Sequence, residues 1–367
     1  MSQLFTPITL AGLTLPNRVV VAPMCQYSAK DGVAQDWHLQ HYGALAASSP
    51  GMIVLEATGV APEGRISPYC LGLYDDATEA ALTALVARLK SFGNSRIAIQ
   101  LGHAGRKGAA DMPWNGGGPT GAWTNVAPSA DPFDEGWPDS EALDEAGLAR
   151  LRDAFADSAK RALRAGFDAI EVHSAHGYLL HQFLSPLANK RTDSYGGSLE
   201  NRMRFPLEVI RAMRAVWPQG KPLGIRISAT DWTEGGLTLA ESEIYAREFA
   251  KAGIDYVCVS SGGVVPKADI PVGPLYQVHL AQAIRTASGL PVRAVGLIAT
   301  PEQAESVVAE GKADMVAIGR GFLDNPRWVW HAAERLGVDL PYVNQYRFAS
   351  GRFWPGAAIA RPKLAAE

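Results

Sequence analysis

The chain has 367 residues, of which 47% are hydrophobic and 19% charged, and its formal net charge is −3. This composition excludes an intrinsically disordered chain, and the small charge gives no electrostatic reason to expect nucleic acid or an anionic membrane surface as a partner. The three cysteines, Cys25, Cys70 and Cys258, are odd in number and far apart in sequence, which argues against a disulfide framework or a zinc knuckle. Because there is neither a signal-peptide pattern nor an apolar run of about 18 residues, we expect a cytoplasmic protein.

Eight short runs of apolar and β-branched residues are predicted to be buried strands. They cover residues 18–22, 52–57, 96–101, 168–173, 223–228, 256–260, 292–295 and 315–318. Strands that alternate with helices predict an α/β protein, a (β/α)8 TIM barrel formed by residues 1–367 as a single domain. A doubly wound sheet is the competing architecture. That fold typically has a GxGxxG turn directly after an early strand, and no early strand of this sequence is followed by such a turn.

Helix signals between these strands support the alternation. One apolar stripe at helical spacing before Gly166 consists of Leu148, Leu151, Phe155, Ala159 and Ala162. Capping boxes are predicted at Thr238 with Glu241 and at Thr300 with Gln303. Pro301 is predicted to lie in the first turn of a helix, and Gly253 and Gly311 are predicted to follow helix C-termini.

Two segments do not fit the regular alternation. After the third strand, residues 104–141 are rich in Gly, Pro, Asp and Trp, which predicts a lid-like insertion over the barrel mouth, although a passive surface insertion stays open. Residues 342–367 show no clear periodicity and are predicted to be a C-terminal tail.

The segment His173-Ser174-Ala175-His176-Gly177-Tyr178 follows the fourth predicted strand directly. Two neutral imidazoles can hold a polarised oxygen, and a phenol can donate a proton to a carbanion, so the segment indicates proton-coupled chemistry on a carbonyl compound. As an alternative, His173 and His176 could ligate a metal in a barrel hydrolase, but no HxH or HExxH partner stands elsewhere in the chain.

In a barrel, the carboxyl ends of all strands meet at the active site. Glycine-bearing loops after the seventh and eighth strands commonly seat a phosphate there, and here they carry Gly296 and Gly319-Arg320-Gly321. The amide of Gln100 both donates and accepts hydrogen bonds, and the cation of Arg226 can stabilise an anionic ring such as reduced flavin. A salt bridge inside the barrel is the alternative role for Arg226.

These motifs resemble the Old Yellow Enzyme family of FMN-dependent ene-reductases, over nearly the whole chain. The matching blocks are Asn17-Arg18, Pro23-Met24-Cys25-Gln26-Tyr27, Glu63-Gly64-Arg65, the segment Gln100-Leu101-Gly102-His103-Ala104-Gly105-Arg106, the His173–Tyr178 segment, and residues 189–202.

The resemblance implies a set of cofactor and substrate residues. FMN would be held by Ala22, Pro23, Met24, Cys25, Ala57, Gln100, His173, Arg226, Gly296, Gly319 and Arg320. Among the substrate and catalytic residues, His173 and His176 would bind the activating oxygen, and Tyr178 would protonate Cα. Cys25 and Tyr27 resemble the bacterial, thermophilic-type branch, in which the thiol modulates reactivity and the tyrosine contacts substrate, although Cys25 could also be a small buried hydrophobe.

The implied reaction transfers hydride from NADPH or NADH, through flavin N5, to the β-carbon of an α,β-unsaturated carbonyl compound. Small activated alkenes would be the substrates, and we expect a homodimer or homotetramer. Gln345-Tyr346-Arg347 resembles a C-terminal segment whose arginine reaches the neighbouring active site, but Arg347 is one residue closer to the tyrosine than that pattern has it. A flavin-binding protein without turnover is a third interpretation.

Overall fold

The computed structural model describes residues 2–361, and the last six residues of the predicted tail, 362–367, lie outside the described residues. Its centre is a closed barrel of eight parallel strands, which confirms the predicted (β/α)8 fold. The barrel strands are β1 Val19–Val21, β2 Met52–Gly59, β3 Arg96–Gly102, β4 Ala169–Ser174, β5 Leu223–Ser228, β6 Tyr256–Ser260, β7 Val292–Ala294 and β8 Met315–Ile318.

Helices pack around the barrel. They are α1 Asp36–Ala46, α2 Asp76–Phe92, α3 Glu145–Arg164, α4 Leu179–Leu184, α5 Leu199–Val216, α6 Leu239–Lys251, α7 Val278–Ser288, α8 Pro301–Ala309, α9 Arg320–Asp324, α10 Trp328–Arg335 and α11 Ala357–Ala360. Both predicted capping boxes form, at Thr238 before α6 and at Thr300 before α8. The apolar stripe of α3 is buried against the barrel, as its spacing predicted.

The amino-terminal end of the barrel is closed by an antiparallel hairpin, Ile8–Leu10 with Leu13–Leu15. Leu10 and Leu15 pack with Met52, Ala98 and Met315 in one apolar cluster. The opposite end carries the loops that follow the strands, so the candidate site lies there.

Strand β2 extends two residues past its predicted end and contains a register shift between Leu55 and Ala57 in its pairing with β3. Such a bulge puts an extra residue into one strand and turns the following side chains. The bulge therefore shifts the pairing of Ala57 and Thr58 with β3. The pattern of apolar residues in the sequence does not predict such a shift.

The predicted lid, residues 104–141, contains 3-10 turns at Gly105–Lys107 and Pro113–Asn115, and its short strand Val126–Ala127 pairs with Glu141–Ala142. Its function as a lid stays a prediction. In the tail, Tyr342 stacks on Trp330 of α10 with ring centroids 4.0 Å apart. Among residues 2–361, no helix combines the length and apolarity needed to cross a bilayer.

Candidate active site

The segment after β4 delivers three functional side chains to the barrel mouth. His173 lies within the strand, and the chain then turns through left-handed conformations at His176 (φ 56°) and Gly177 (φ 72°). A Cβ atom on Gly177 would come within 2.1 Å of the Gly263 carbonyl oxygen, so glycine is required there. Tyr178 then caps α4. The two histidines therefore sit on a strand end and a tight turn, and not on one face of a helix.

The ring of His173 packs against the rings of both His176 and Tyr178. The centroids of His173 and His176 lie 5.2 Å apart and those of His173 and Tyr178 4.8 Å apart, with both pairs close to perpendicular. His173 is buried, whereas His176 and Tyr178 are partly exposed. The site thus holds two imidazoles and a phenol within reach of one small molecule.

Hydrogen bonds fix the orientation of both imidazoles. Nδ1 of His173 accepts a hydrogen bond from the Ala175 backbone N–H at 3.3 Å, which leaves the ring proton on Nε2. Nε2 of His176 lies 2.8 Å from the hydroxyl of Ser260 at the end of β6. The backbone N–H of His176 donates to the hydroxyl of Ser228 at the end of β5. Three neighbouring strand ends therefore position this one histidine.

Both imidazoles are neutral at ordinary pH. Burial lowers the pKa of His173 well below its usual value, and the positive charges of Arg226 and Lys107 lower it further. The pKa of His176 is lowered well below its usual value by the same burial and the same neighbouring charges. Neutral imidazoles can donate a hydrogen bond to a substrate oxygen without losing a proton to solvent.

Tyr178 is held as a protonated phenol. Burial raises its pKa well above 10, and the nearby Cys25 acts in the same direction. The ammonium group of Lys107 lies 5.2 Å from the centroid of the Tyr178 ring and donates hydrogen bonds to the carbonyl oxygens of His176 and Gly263, each at 2.9 Å. Burial lowers the pKa of Lys107 to about 8. A phenol that keeps its proton is suited to act as a general acid.

The loop after β1 forms another wall of the site. The backbone N–H of Ala22 donates to the carbonyl of Ile318, which ties this loop to β8. The backbone N–H of Gln26 donates to Glu56 at 2.9 Å, and Tyr27 has a left-handed backbone with φ 50°. The edge of Trp114, from the predicted lid, packs against the Tyr27 ring at 5.4 Å. The lid segment therefore contacts a predicted substrate residue.

Two cysteines lie near this loop. Cys25 belongs to the loop and is partly exposed, whereas Cys70 is buried, with its sulfur 3.2 Å from the Ser67 hydroxyl. The two residues are far apart in sequence, but the barrel brings β1 and the segment after β2 together.

Gln100 and Arg226 lie side by side with the histidines. Arg226 on β5 is in register with His173 on β4, and its guanidinium Nε is buried with no hydrogen-bond partner among residues 2–361. The amide nitrogen of Gln100 donates to Glu171 at 2.8 Å. Glu171 in turn forms a buried ion pair with Arg293. The salt bridge considered for Arg226 from the sequence is therefore made by Arg293.

The predicted phosphate residues lie at the ends of β7 and β8. Gly296 has φ 118°, and a Cβ atom there would come within 2.5 Å of the Gln277 side-chain nitrogen. Gly319 precedes α9 and faces Met24 of the β1 loop, and Arg320 is exposed at the first position of that helix. Two further predicted cofactor residues lie at the same rim: Pro23 follows β1, and Ala57 lies within β2.

Sequence reasoning did not assign roles to Ser228, Ser260, Lys107, Glu56 and Glu171. Ser228 is the last residue of β5 and Ser260 the last residue of β6. Their positions at the carboxyl ends of strands are the signal that could have indicated them as site residues. The roles of Lys107, Glu56 and Glu171 depend on contacts between segments that are distant along the chain, and no sequence pattern indicates such contacts.

The metal alternative lacks ligands in the described part of the chain. Among residues 2–361, no group of three or more His, Cys, Asp or Glu side chains is arranged to hold a metal ion. His173 and His176 instead use ring nitrogens for contacts with Ala175 and Ser260.

A family model described as the NADH:flavin oxidoreductase / NADH oxidase family matches residues 3–338 of the chain. The chain belongs to this family. The match spans all eight barrel strands, so it covers the whole of the constellation described above. It confirms the Old Yellow Enzyme resemblance that the motifs indicated.

Curated relatives support the same assignment. The chain is 48% identical to an NADPH dehydrogenase of Geobacillus thermodenitrificans over 345 residues, which cover 94% of this chain and 97% of the relative. It is 45% identical to an NADPH dehydrogenase of Halalkalibacterium halodurans, with 94% and 98% of the two chains covered. These identities extend over nearly the entire chain.

Solved structures show the same architecture. Morphinone reductase superposes with a TM-score of 0.77 at 32% identity and covers 92% of this chain and 91% of its own. A complex of that enzyme with tetrahydroNAD matches with a TM-score of 0.75 at 31% identity, covering 94% and 93% of the two chains. An Old Yellow Enzyme homologue from Zymomonas mobilis gives a TM-score of 0.76 at 27% identity, with 94% and 96% covered.

The protein is therefore a flavin-dependent NAD(P)H oxidoreductase that uses FMN. The site fits this cofactor in one respect. The buried Nε of Arg226 has no hydrogen-bond partner among residues 2–361, and burying an unpaired cation is costly. FMN would supply electron-rich groups in its pyrimidine edge and phosphate.

Proposed function

We propose that this oxidoreductase reduces activated alkenes, with an α,β-unsaturated carbonyl compound as substrate. The observation that carries the proposal is the neutral His173–His176 pair in contact with the protonated Tyr178. When bound, FMN supplies hydride transfer between NAD(P)H and the β-carbon of the alkene. The remaining requirements are an oxyanion site and a proton donor, and this chain's own side chains supply both.

The two imidazoles bind and polarise the substrate oxygen. Nε2–H of His173 is free to donate, because Nδ1 is occupied by the Ala175 N–H. His176 donates from Nδ1 when the Ser260 hydroxyl donates to its Nε2. Two such donors withdraw electron density from the conjugated double bond and stabilise the enolate oxygen that develops.

Tyr178 provides the proton for Cα. Its phenolic oxygen keeps its proton at neutral pH because burial raises its pKa. Lys107 stands near this ring, and its charge favours the phenolate left after proton transfer.

Substitution of His173 by alanine tests this proposal. Loss of one oxyanion donor typically lowers a rate by about 10²–10³, so His173→Ala should reduce an enone that much more slowly while FMN stays bound. The exposed His279 provides the matched control, and His279→Ala should retain the wild-type rate. An unchanged enone rate in His173→Ala, measured by anaerobic stopped-flow absorbance, would overturn the assignment.

The oligomer and the role of Arg347 stay proposals. Arg347 is exposed in this chain, with its guanidinium 5.0 Å from the Phe353 ring centroid, and Phe348 beside it is 73% exposed. An exposed aromatic next to an arginine is typical of a surface that a second subunit covers. We propose a homodimer or homotetramer in which Arg347 reaches the neighbouring site, which light scattering and an Arg347→Ala variant would test.

A further inference from the structure

Two buried side chains, His181 of α4 and Asp231 after β5, support the turn that carries His176 and Tyr178. We propose that His181 is a positioning residue, which holds this turn in its active conformation, and that Asp231 fixes the imidazole tautomer that does so. The inference rests on the proposed function, because the turn presents the residues that would bind and protonate the alkene. His181 itself is fully buried, so it acts through the turn and does not touch substrate.

The turn needs support from outside its own backbone. His176 has a left-handed backbone with φ 56°, which is unfavourable for a residue with a side chain and persists only where surrounding contacts hold it. Gly177 follows with φ 72°. A change in these angles would redirect the His176 ring and the Tyr178 phenol relative to each other. The contacts of this turn therefore decide whether both groups reach one substrate.

The imidazole of His181 makes one of these contacts. The backbone N–H of Gly177 donates to Nδ1 of His181 at 2.8 Å, and this hydrogen bond is buried. On the other side of the same residue, the amide nitrogen of Gln182 donates to the Gly177 carbonyl at 2.7 Å. A buried N–H that loses its acceptor is costly, so the turn would change conformation to reach another partner. Since Gly177 lies between His176 and Tyr178, such a change would move both side chains.

Asp231 lies on the far side of the His181 ring. Its Oδ1 is 3.0 Å from Nε2 of His181, and both side chains are fully buried. The other carboxylate oxygen, Oδ2, accepts hydrogen bonds from the Ser185 hydroxyl at 2.6 Å and from the Leu237 N–H at 2.7 Å, which fix the carboxylate in place. A carboxylate next to Nε2 favours the tautomer with the proton on that nitrogen, and Nδ1 can then accept from Gly177.

Substitution can test the two ring nitrogens of His181 separately. Asparagine carries its amide oxygen as many bonds from Cα as Nδ1, so His181→Asn can still accept the hydrogen bond of Gly177. Glutamine carries its amide as far as Nε2, so His181→Gln can contact Asp231 but leaves the Gly177 N–H without this acceptor. In single-turnover reduction of 2-cyclohexenone by the reduced, FMN-loaded protein, His181→Asn should stay within about threefold of the wild-type rate, and His181→Gln should be about tenfold or more slower.

The Asp231→Asn variant tests the tautomer. An amide N–H can donate to Nε2 of His181, which moves the imidazole proton to Nδ1 and removes the acceptor for Gly177. Asp231→Asn should therefore slow enone reduction about as much as His181→Gln. It should have no further effect in the His181→Asn background, where no imidazole is left. Equal slowing in both backgrounds would show that Asp231 does not act through His181, and would overturn the proposal.

The Tyr245→Phe variant is the matched control for a merely structural effect. It removes another buried hydrogen bond to α4, from the Tyr245 hydroxyl to the Leu184 carbonyl at 3.2 Å, and should leave the enone rate unchanged. The proposal is overturned if His181→Asn and His181→Gln are slowed equally, or if Tyr245→Phe slows the reaction as much as His181→Gln. Should His181→Gln not fold, the comparison of Asp231→Asn in the two backgrounds decides alone.

Nitrogen NMR of wild-type protein labelled with nitrogen-15 histidine reports the tautomer without any alkene. The His181 signals are those that disappear in His181→Asn, and we expect them to show a proton on Nε2 and none on Nδ1. A proton on Nδ1 would overturn the inference whatever the enone rates are. Wild-type protein that has the expected tautomer but does not reduce the enone would support the role of Asp231 and contradict the proposed function alone.

Discussion

The Ser260 hydroxyl at the end of β6 lies 2.8 Å from Nε2 of His176. Oε1 of Gln277 accepts hydrogen bonds from Ser261 at 2.5 Å and from Ser260 at 3.5 Å, so the shorter contact of Ser260 is the one with His176. When the Ser260 hydroxyl donates to Nε2, the imidazole proton is on Nδ1. The serine thus decides which ring nitrogen of His176 can donate to a substrate.

Removing this hydroxyl should weaken the oxyanion site without removing the histidine. Because a neutral hydrogen bond contributes ~1 kcal/mol, we expect Ser260→Ala to slow enone reduction about fivefold. Ser174→Ala is the matched control, since the Ser174 hydroxyl is buried at the end of β4 and has no hydrogen-bond partner among residues 2–361. Equal rates for the two variants in anaerobic stopped-flow absorbance would show that Ser260 does not orient His176.

Removal of the Tyr178 phenol should affect proton transfer. General acids typically contribute about 10²–10⁴ in rate, so Tyr178→Phe should slow enone reduction by this range while reduction of the flavin by NADPH changes little. Tyr195→Phe provides a control, because the Tyr195 hydroxyl is part of a separate contact with Glu208. Full enone turnover with unchanged stereochemistry at Cα in Tyr178→Phe would mean that another acid donates the proton.

The raised pKa of Tyr178 also predicts a pH profile. The protonated phenol is the active form, so activity is lost as pH rises through its pKa. Because that pKa lies above the usual value of about 10, the single-turnover rate of enone reduction should stay level between pH 7 and about 9.5. A fall centred below about pH 9 would contradict a protonated Tyr178 as the proton donor.

Much of this site follows from sequence, and the reasons are physical. The eight strands are short apolar runs flanked by helix signals, and the strand ends of a parallel barrel must meet at one rim, which places His173, Arg226 and Gly319 together. The pairing of Glu171 with Arg293 could not be predicted in this way. It depends on how the barrel closes, which leaves no periodic pattern.

Buried neutral histidines should make the fold less stable in acid. Burial lowers the pKa of His103 to about 4, whereas the unfolded chain binds this proton at about 6.5. The unfolded state therefore gains protons first, and the free energy of unfolding should fall as pH drops from about 6.5 towards 4. Since one pKa unit corresponds to about 1.4 kcal/mol, His103 alone accounts for ~2 kcal/mol at pH 5.

Urea unfolding of wild type and His103→Gln at pH 7.5 and pH 5 measures this effect. The variant lacks the titrating group, so its stability should fall less between the two pH values than that of the wild type. Identical pH dependences would mean that His103 is charged in the folded protein or does not titrate in this window.

Arg226 should control FMN affinity. Hydrogen bonds to charged groups contribute about 1.5–3 kcal/mol, so Arg226→Met should weaken FMN binding roughly 10- to 100-fold. Arg285→Gln is the control, because Arg285 forms a partly exposed ion pair with Asp314, and such pairs contribute little. Titration of the apoprotein followed by flavin fluorescence measures both, and an unchanged dissociation constant for Arg226→Met would remove Arg226 from the cofactor site.

The central claim is that one site accepts electrons from NADPH and delivers them to an activated alkene. It is tested most directly by reducing the purified protein anaerobically with one equivalent of NADPH and then adding 2-cyclohexenone. We predict that the flavin absorbance band bleaches, then returns in full as one equivalent of cyclohexanone forms. A band that bleaches with NADPH but stays bleached after the enone would contradict the proposed ene-reductase function.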